Sequence, residues 1–210
     1  MRITIFGGTG PTGLLLIDYA LAEGHDVVAF ARTPSKLPTR ERLTAVTGQL
    51  DDAAAISEAV RGSDAVLSLL GPSTKADDIP PLITGYRNIV AAMREQQVER
   101  LVALGTPSMT DPADRKDFKV GLMVKGIRTF QTAAYDAIVT IGQTVRDSGL
   151  KWTLVRVPLL TNGPKTATIN VRSIGDKGGV RLSRANAAAF ILQQATDSDQ
   201  IGRAPFISDK

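Results

Sequence analysis

The chain reads as an α/β protein: a doubly wound parallel sheet in a single domain over residues 1–210, with a small C-terminal loop region set aside for substrate. Three observations predict this. Strand-like and helix-like runs alternate along most of the length. The run from Asp64 to Leu70 is almost continuously apolar, as a strand covered on both faces would be. A glycine-rich turn joins the first strand to the first helix, and such repeated units imply right-handed crossovers with helices on both sides of the sheet.

The elements follow in order. Arg2 to Phe6, with Ile3, Thr4 and Ile5, makes the first strand. Pro11 to Ala22 carries Leu14, Leu15, Ile17 and Leu21 at helical spacing, and Gly24 ends it. Strands are expected at Asp26 to Ala31, at Leu43 to Val46 before Gly48, and at Asp64 to Leu70 before Gly71 and Pro72, with a helix from Asp51 to Val60. Pro80 and Pro81 open a helix whose stripe is Leu82, Tyr86, Ile89, Val90 and Met93. Arg100 to Leu104 is the fifth strand. Thr110 to Lys119 is polar and mixed in charge, and a helical stripe then runs through Phe130, Ala134, Ile138, Ile141 and Val145 to the stop at Gly149. Lys151 to Val157 is the sixth strand. Thr161 to Gly179 reads as a substrate loop or small cap, Ser183 caps a helix from Arg184 to Ala195, and Ala204 to Ser208 closes the sheet.

Composition narrows the function. With 43% hydrophobic and 22% charged residues this is an ordinary globular composition. A formal net charge of +4 raises nucleic acid as a partner, yet the cations are scattered among acids, so no nucleic-acid surface is expected. Without cysteine there is no disulfide, thiolate nucleophile or cysteine metal site. No apolar run approaches the roughly 20 residues that cross a bilayer, and the N-terminus is a strand rather than a signal peptide, so the expectation is a cytoplasmic protein with no membrane partner. No internal repeat is visible, and no metal site is expected.

The turn at Gly7, Gly10 and Gly13 carries the most specific chemistry. Glycines spaced this way after a strand and before a helix make the tight turn, let a pyrophosphate touch backbone, and let the helix pack closely, with the anion at the positive end of the helix dipole. A plain structural turn is the alternative. Gly8 and Gly13 also have P-loop spacing, but Leu14 follows and the phosphate-binding lysine is missing. A Rossmann-like fold that prefers NAD usually places an acid at the end of the second strand, about 20 residues past the glycines. Here Arg32 stands there, followed by Lys36, with Thr33 and Ser35 between. Cationic forks and hydroxyls suit a 2′-phosphate, so NADP (NADPH) is favoured and NAD possible; the alternative is that both cations merely solvate a loop. Ligands of such sheets bind beyond the carboxyl ends of the strands, which predicts that Gly10, Arg32, Gly71 and Thr106 converge.

Catalytic groups are scarcer. The Tyr-x-x-x-Lys pair that exchanges a proton with alcohols is absent: Glu23, Val90 and Val139 lie four residues after Tyr19, Tyr86 and Tyr135. Tyr86 and Tyr135 are better explained as packing residues of their helices. The single histidine, His25, sits in a turn at the far end of the sheet, so a nucleophile has no base. A flavin or quinone relaxes the requirement, because it accepts hydride on an electron-poor ring and collects its proton from water. Thr106, Pro107, Met109, Pro158 and Leu159 are candidates for the stacking surface, although ordinary packing is the better account of Met109.

Taken together, GGTGPTG at 7–13, ARTPSKLP at 31–38, SDAVLSLLG at 63–71, YRNIVAAM at 86–93 and DSGLKWTLVRVP at 147–158 resemble the atypical short-chain dehydrogenase/reductase superfamily. Within it the likeness is to the NAD(P)H-binding group that includes flavin reductase, also called biliverdin reductase B. The resemblance implies that Gly7, Thr9, Gly10, Pro11, Thr12 and Gly13 hold the pyrophosphate and that Arg32 and Lys36 meet the 2′-phosphate. It further implies Leu50 and Asp51 at the adenine, Gly71 and Pro72 at the ribose, and Thr106 at the nicotinamide, where Thr106 is also the candidate catalytic residue. Gln49 stands where the group often has an acid, and Leu159 where flavin reductase has a histidine. Two functions follow: an NADPH-dependent oxidoreductase acting on a small flavin, quinone or similar conjugated acceptor, or an NADP(H)-binding redox sensor without turnover. A weaker third is an epimerase-like relative that uses the nucleotide transiently.

Overall fold

Strand alternation sorts the sheet's side chains onto two faces, and each face recruits its own helices. In β1 (Arg2–Phe6), Ile3 and Ile5 point one way and Phe6 the other; in β2 (Asp26–Ala31), Val27 and Ala29 oppose Val28 and Phe30. Ile3, Ile5, Val27 and Ala29 pack with Leu16 and Ile17 of α1 (Pro11–Ala22) and Ile191 of α6 (Arg184–Gln193). Phe6, Val28 and Phe30 pack on the other side with Ile56 of α2 (Ala53–Val60), Tyr86 and Ile89 of α3 (Ile79–Glu95), and Ile141 of α5 (Thr132–Arg146). The computed structural model describes residues 1–71 and 76–210, so the expectation for Pro72 lies outside the described residues.

The main sheet adds β3 (Leu43–Thr47), β4 (Ala65–Ser68), β5 (Arg100–Gly105), β6 (Lys151–Arg156), β8 (Ile169–Arg172) and β10 (Phe206–Asp209), in the order β3-β2-β1-β4-β5-β6-β10-β8. Every pairing is parallel except that of β10 with β8. A small second sheet pairs β7 (Leu159–Thr161) with β9 (Arg181–Ser183). The order reverses between β1 and β4, and this switch point is where a crevice opens at the carboxyl ends of parallel strands.

The doubly wound architecture is as expected, and four local expectations are corrected. The second helix starts at Ala53 rather than Asp51, because the Asp52 carboxylate accepts the Ala55 N–H and caps it. The stripe after Lys119 is two helices, α4 (Phe118–Phe130) and α5, because Gln131 leaves the helical region at φ −140°, ψ 51°. The expected loop from Thr161 to Gly179 contains β8, drawn into the sheet edge by antiparallel bonds to β10. The last strand is Phe206–Asp209 rather than Ala204 to Ser208. Ser183 does cap α6, its hydroxyl accepting the Asn186 N–H at 3.0 Å, and that helix ends at Gln193.

Candidate functional site

Three glycines shape the turn from β1 into α1, for two different reasons. Gly7 has φ +81°, where a side chain is strained, and a Cβ there would come within 3.0 Å of the Leu69 carbonyl carbon. A Cβ on Gly13 would lie 2.2 Å from the Gly7 carbonyl oxygen and 2.7 Å from the Gly8 Cα. The chain's own packing requires both. Gly10 is different: its φ of −79° suits any residue, and a Cβ would meet only the Gly7 oxygen, at 3.5 Å. Gly10 is the N-cap of α1, and a glycine has no side chain with which to cap it. Pro11 has no N–H, and the amides of Thr12 and Gly13 precede the first intrahelical bond, from Leu14 N–H to Gly10 O at 2.9 Å. Amide donors without an intrahelical partner at the positive end of a helix, next to space the protein does not fill, fit a diphosphate.

Beside this turn lies a crevice of about 280 Å³, whose wall includes Gly7, Thr9, Phe30, Arg32, Gln49, Leu50, Asp51, Leu70, Gly71 and Asp78. Its size suits the adenosine half of a dinucleotide, at the small end of ligand pockets. Arg32 is solvent-facing at the rim, its Nη1 3.8 Å from Asp78 Oδ1. The far wall is fixed by α3. Gly85 stands where a Cβ would press within 2.9 Å of Leu50 Cβ, and Asn88 Nδ2 donates to the Leu50 carbonyl at 3.0 Å. Tyr86 is fully buried; its hydroxyl takes a bond from Ser68 Oγ and donates to the Leu70 carbonyl, each at 3.0 Å. Burial pushes this phenol up to about 12, against a weaker opposite pull from Ser68. Tyr86 is therefore a strut under the end of β4.

The sites expected from sequence divide accordingly. Gly7, Thr9, Arg32, Leu50, Asp51 and Gly71 meet in one wall. Gly10, Pro11, Thr12 and Gly13 form the turn and first residues of α1 beside it. Lys36 ends the 3-10 turn Pro34–Lys36, exposed and outside that wall. Of the residues predicted to converge, Arg32 and Gly71 share the crevice, and Gly10 adjoins it, its N–H donating to the carbonyl of the wall residue Gly7 at 3.2 Å. Thr106 follows β5, two strands from β1 in the sheet order, which sets it roughly 10 Å along the sheet at the usual strand spacing.

Beyond β5 the chain makes a tight turn, with Met109 N–H bonded to Thr106 O at 3.0 Å and Ser108 N–H to Thr106 Oγ1 at 3.3 Å. Met109 faces inward rather than towards a ligand. It is buried, and a Cβ on Gly105 would lie 2.7 Å from its sulfur and one on Gly142 3.0 Å from its Cγ. Pro107 and Pro158 are buried as well, and Leu159 is exposed on the small sheet, so the expected five-residue stacking surface is not continuous. In its place is a hollow of about 560 Å³ walled by Pro107, Phe118, Val120, Val124 and Ile174, with Arg115, Lys116 and Asp117 also in its lining.

Two residues that frame this end were not foreseen. Arg156 is 0% exposed; its Nη2 donates to Asp114 Oδ1 at 2.8 Å, its Nη1 to Asp114 Oδ2, and its Nε to the Ala204 carbonyl at 2.7 Å. Asp114 also accepts the N–H groups of Asp111 and Ile174. Burial raises the Asp114 carboxyl, but the bonds from Arg156 and the two backbone amides outweigh it and hold the group below its ordinary value. An acid in a polar stretch of mixed charge gave no local signal of this pairing. Elsewhere, the hollow of about 570 Å³ beside Glu23 and His25 has Lys165, Thr166, Asn186 and Gln194 in its lining, away from the glycine turn. Among the described residues no group of His, Cys, Asp or Glu could hold a metal.

The sequence model of the NAD(P)H-binding family matches residues 7–198, from the glycine turn to just past α6. This chain belongs to the NAD(P)H-binding family. The resemblance to an NAD(P)H-binding group is thereby borne out, and NAD(P)H is the cofactor class of the chain. Over 214 aligned residues the chain is 29% identical to the (4-alkanoyl-5-oxo-2,5-dihydrofuran-3-yl)methyl phosphate reductase of Streptomyces griseus, covering 98% of this chain and 67% of that protein. It is 30% identical to the 3-beta-hydroxysteroid dehydrogenase of Mycolicibacterium neoaurum over 51% of this chain, and spans about a third (32%) of that enzyme's length. Among solved structures, a short-chain dehydrogenase/reductase of Veillonella parvula in complex with NADP is similar at a TM-score of 0.80 and 17% identity, covering 99% of this chain and 94% of that one. ChuY, an anaerobillin reductase of Escherichia coli O157:H7, is similar at 0.80 and 18% identity, covering 100% and 97%. At these identities the two structures establish the fold.

Proposed function

We propose that this family member is an NADPH-dependent oxidoreductase that passes hydride to a flavin, a quinone or a similar conjugated small molecule. One observation carries the reading: an uncapped helix start, left open at Gly10, adjoins a crevice whose rim holds Arg32. The amides of α1 bind the diphosphate and the guanidinium selects NADPH over NADH. Asp78 does not defeat this selection, since a 2′-phosphate brings nearly two charges to Arg32 where the carboxylate brings one. Leu50 and Phe30 cover the adenine, held in place by Gly85 and Asn88.

When bound, the nicotinamide supplies the hydride. The chain's part is to orient the partners rather than to supply a proton, because the tyrosine nearest the crevice is enclosed and committed to Ser68 and Leu70. An acceptor that draws its proton from water fits such a site better than an alcohol or ketone. The apolar hollow past Thr106 suits a flat ring, and the similar proteins from S. griseus and E. coli are both named reductases. The test is NADPH oxidation, followed by absorbance, across flavins, quinones and linear tetrapyrroles. Turnover with at least one is expected. Tight NADPH binding without oxidation by any would make the chain a redox sensor and overturn the enzymatic reading.

A further inference from the structure

Helix α4 departs from the pattern of the other helices. Of its 13 residues only Val120 is buried, while Phe118, Leu122 and Phe130 are 85%, 61% and 87% exposed. At about 100° per residue, Val120, Met123, Val124 and Ile127 share the inward face, and Phe118 and Leu122 run along the opposite crest. Lys125 and Arg128 flank that crest on one side, Lys119 and Phe130 on the other. The helix has these three cations and no acid, and Arg115 and Lys116 precede it. The nearest acid, Asp117, is turned to the backbone and caps the helix through Val120 N–H at 3.0 Å.

We propose that this face docks on the surface of an anionic lipid bilayer. The crest of Phe118 and Leu122, with Phe130 at the helix end on its Lys119 side, enters the boundary between headgroups and acyl chains, and the flanking cations lie level with the lipid phosphates. Long basic stems beside an apolar ridge are the arrangement that lets charge stay in the headgroups while the ridge is buried. Charge argues for this occupant over a second copy of the chain, because a two-fold contact through α4 would bring its cations against their own images. No described helix is long and apolar enough to cross a membrane; the proposal departs from the expectation of no membrane partner, which rested on the want of a spanning run and not on helices that lie flat. The inference needs α4 alone and holds whatever the acceptor is.

Sedimentation of the full chain with vesicles tests it, using phosphatidylcholine alone and phosphatidylcholine mixed with phosphatidylglycerol. The chain is expected to pellet with the mixed vesicles at low ionic strength, to be released as salt rises, and to stay in solution with phosphatidylcholine. Leu122→Ser with Phe130→Ser, two exposed positions, is expected to weaken partitioning about tenfold or more with unchanged melting temperature and NADPH binding. Lys119→Glu with Lys125→Glu is expected to abolish the preference for anionic vesicles. No pelleting with the mixed vesicles, or equal pelleting by the serine variant, overturns the proposal. So does a dimer on gel filtration that the serine variant dissolves, which would give the face to a second copy.

Discussion

From β1 to β5 the chain is held by apolar faces and backbone: parallel strands pair with their neighbours, and helices cover them through Leu16, Ile56, Tyr86 and Ile89. From Thr106 onward, polar side chains reach over long stretches of sequence. Arg156 holds Asp114, Asn186 donates to Asp209, and Arg100, at the seam, donates to Gln194 O, Lys151 O and Thr153 Oγ1. The first region builds a site from backbone geometry, and the second positions its loops with buried charge. A site made of amides tolerates side-chain change wherever glycines are kept, whereas a clasp made of two side chains fails when either is lost.

The largest effect is therefore expected in the second region. Asp114→Ala leaves the Arg156 guanidinium buried without its partner and should cost about 3–5 kcal/mol in urea unfolding. The same pair has a pH signature. Because the folded Asp114 carboxyl lies below its unfolded value near 4, its stabilisation is complete above that value and lost as pH falls through the folded one. Acid unfolding should accordingly be steeper in the native protein than in Asp114→Asn.

In the first region the glycines separate folding from binding. Gly13→Ala should cost about 3 kcal/mol, since its Cβ would sit 2.2 Å from the Gly7 oxygen. Gly10→Ala should cost under about 1 kcal/mol, the difference between these residues at an N-cap, yet reduce NADPH affinity. Tyr86→Phe should cost about 1–2 kcal/mol from the bond lost at Leu70, with kcat unchanged because the phenol touches no substrate. A large fall in kcat would give Tyr86 a role in the chemistry. Smallest is Arg32→Ala: stability unaltered at an exposed pair, and NADPH binding weakened about tenfold, or about 1.4 kcal/mol, with NADH unchanged.

The same contrast explains what the amino-acid order revealed. Gly7, Gly10 and Gly13 announced their turn because its requirements are local, and the strands to Leu104 announced themselves because each is apolar in its own right. Helix α4 was legible, since Val120, Met123, Val124 and Ile127 stand at helical spacing and Asp117 before it is a cap; what escaped notice is the break at Gln131 that parts it from α5. Strand β8 is half-exposed and owes its conformation to β10, and the Arg156–Asp114 clasp spans 42 positions, so neither leaves a mark within any short window.

Titration calorimetry of the native chain and Gly10→Ala with NADPH tests the central claim most directly. The account predicts a saturable heat with the native protein and at least about a tenfold weaker association for the variant at nearly equal melting temperature. No heat from the native chain, or equal affinity in the two, would contradict it.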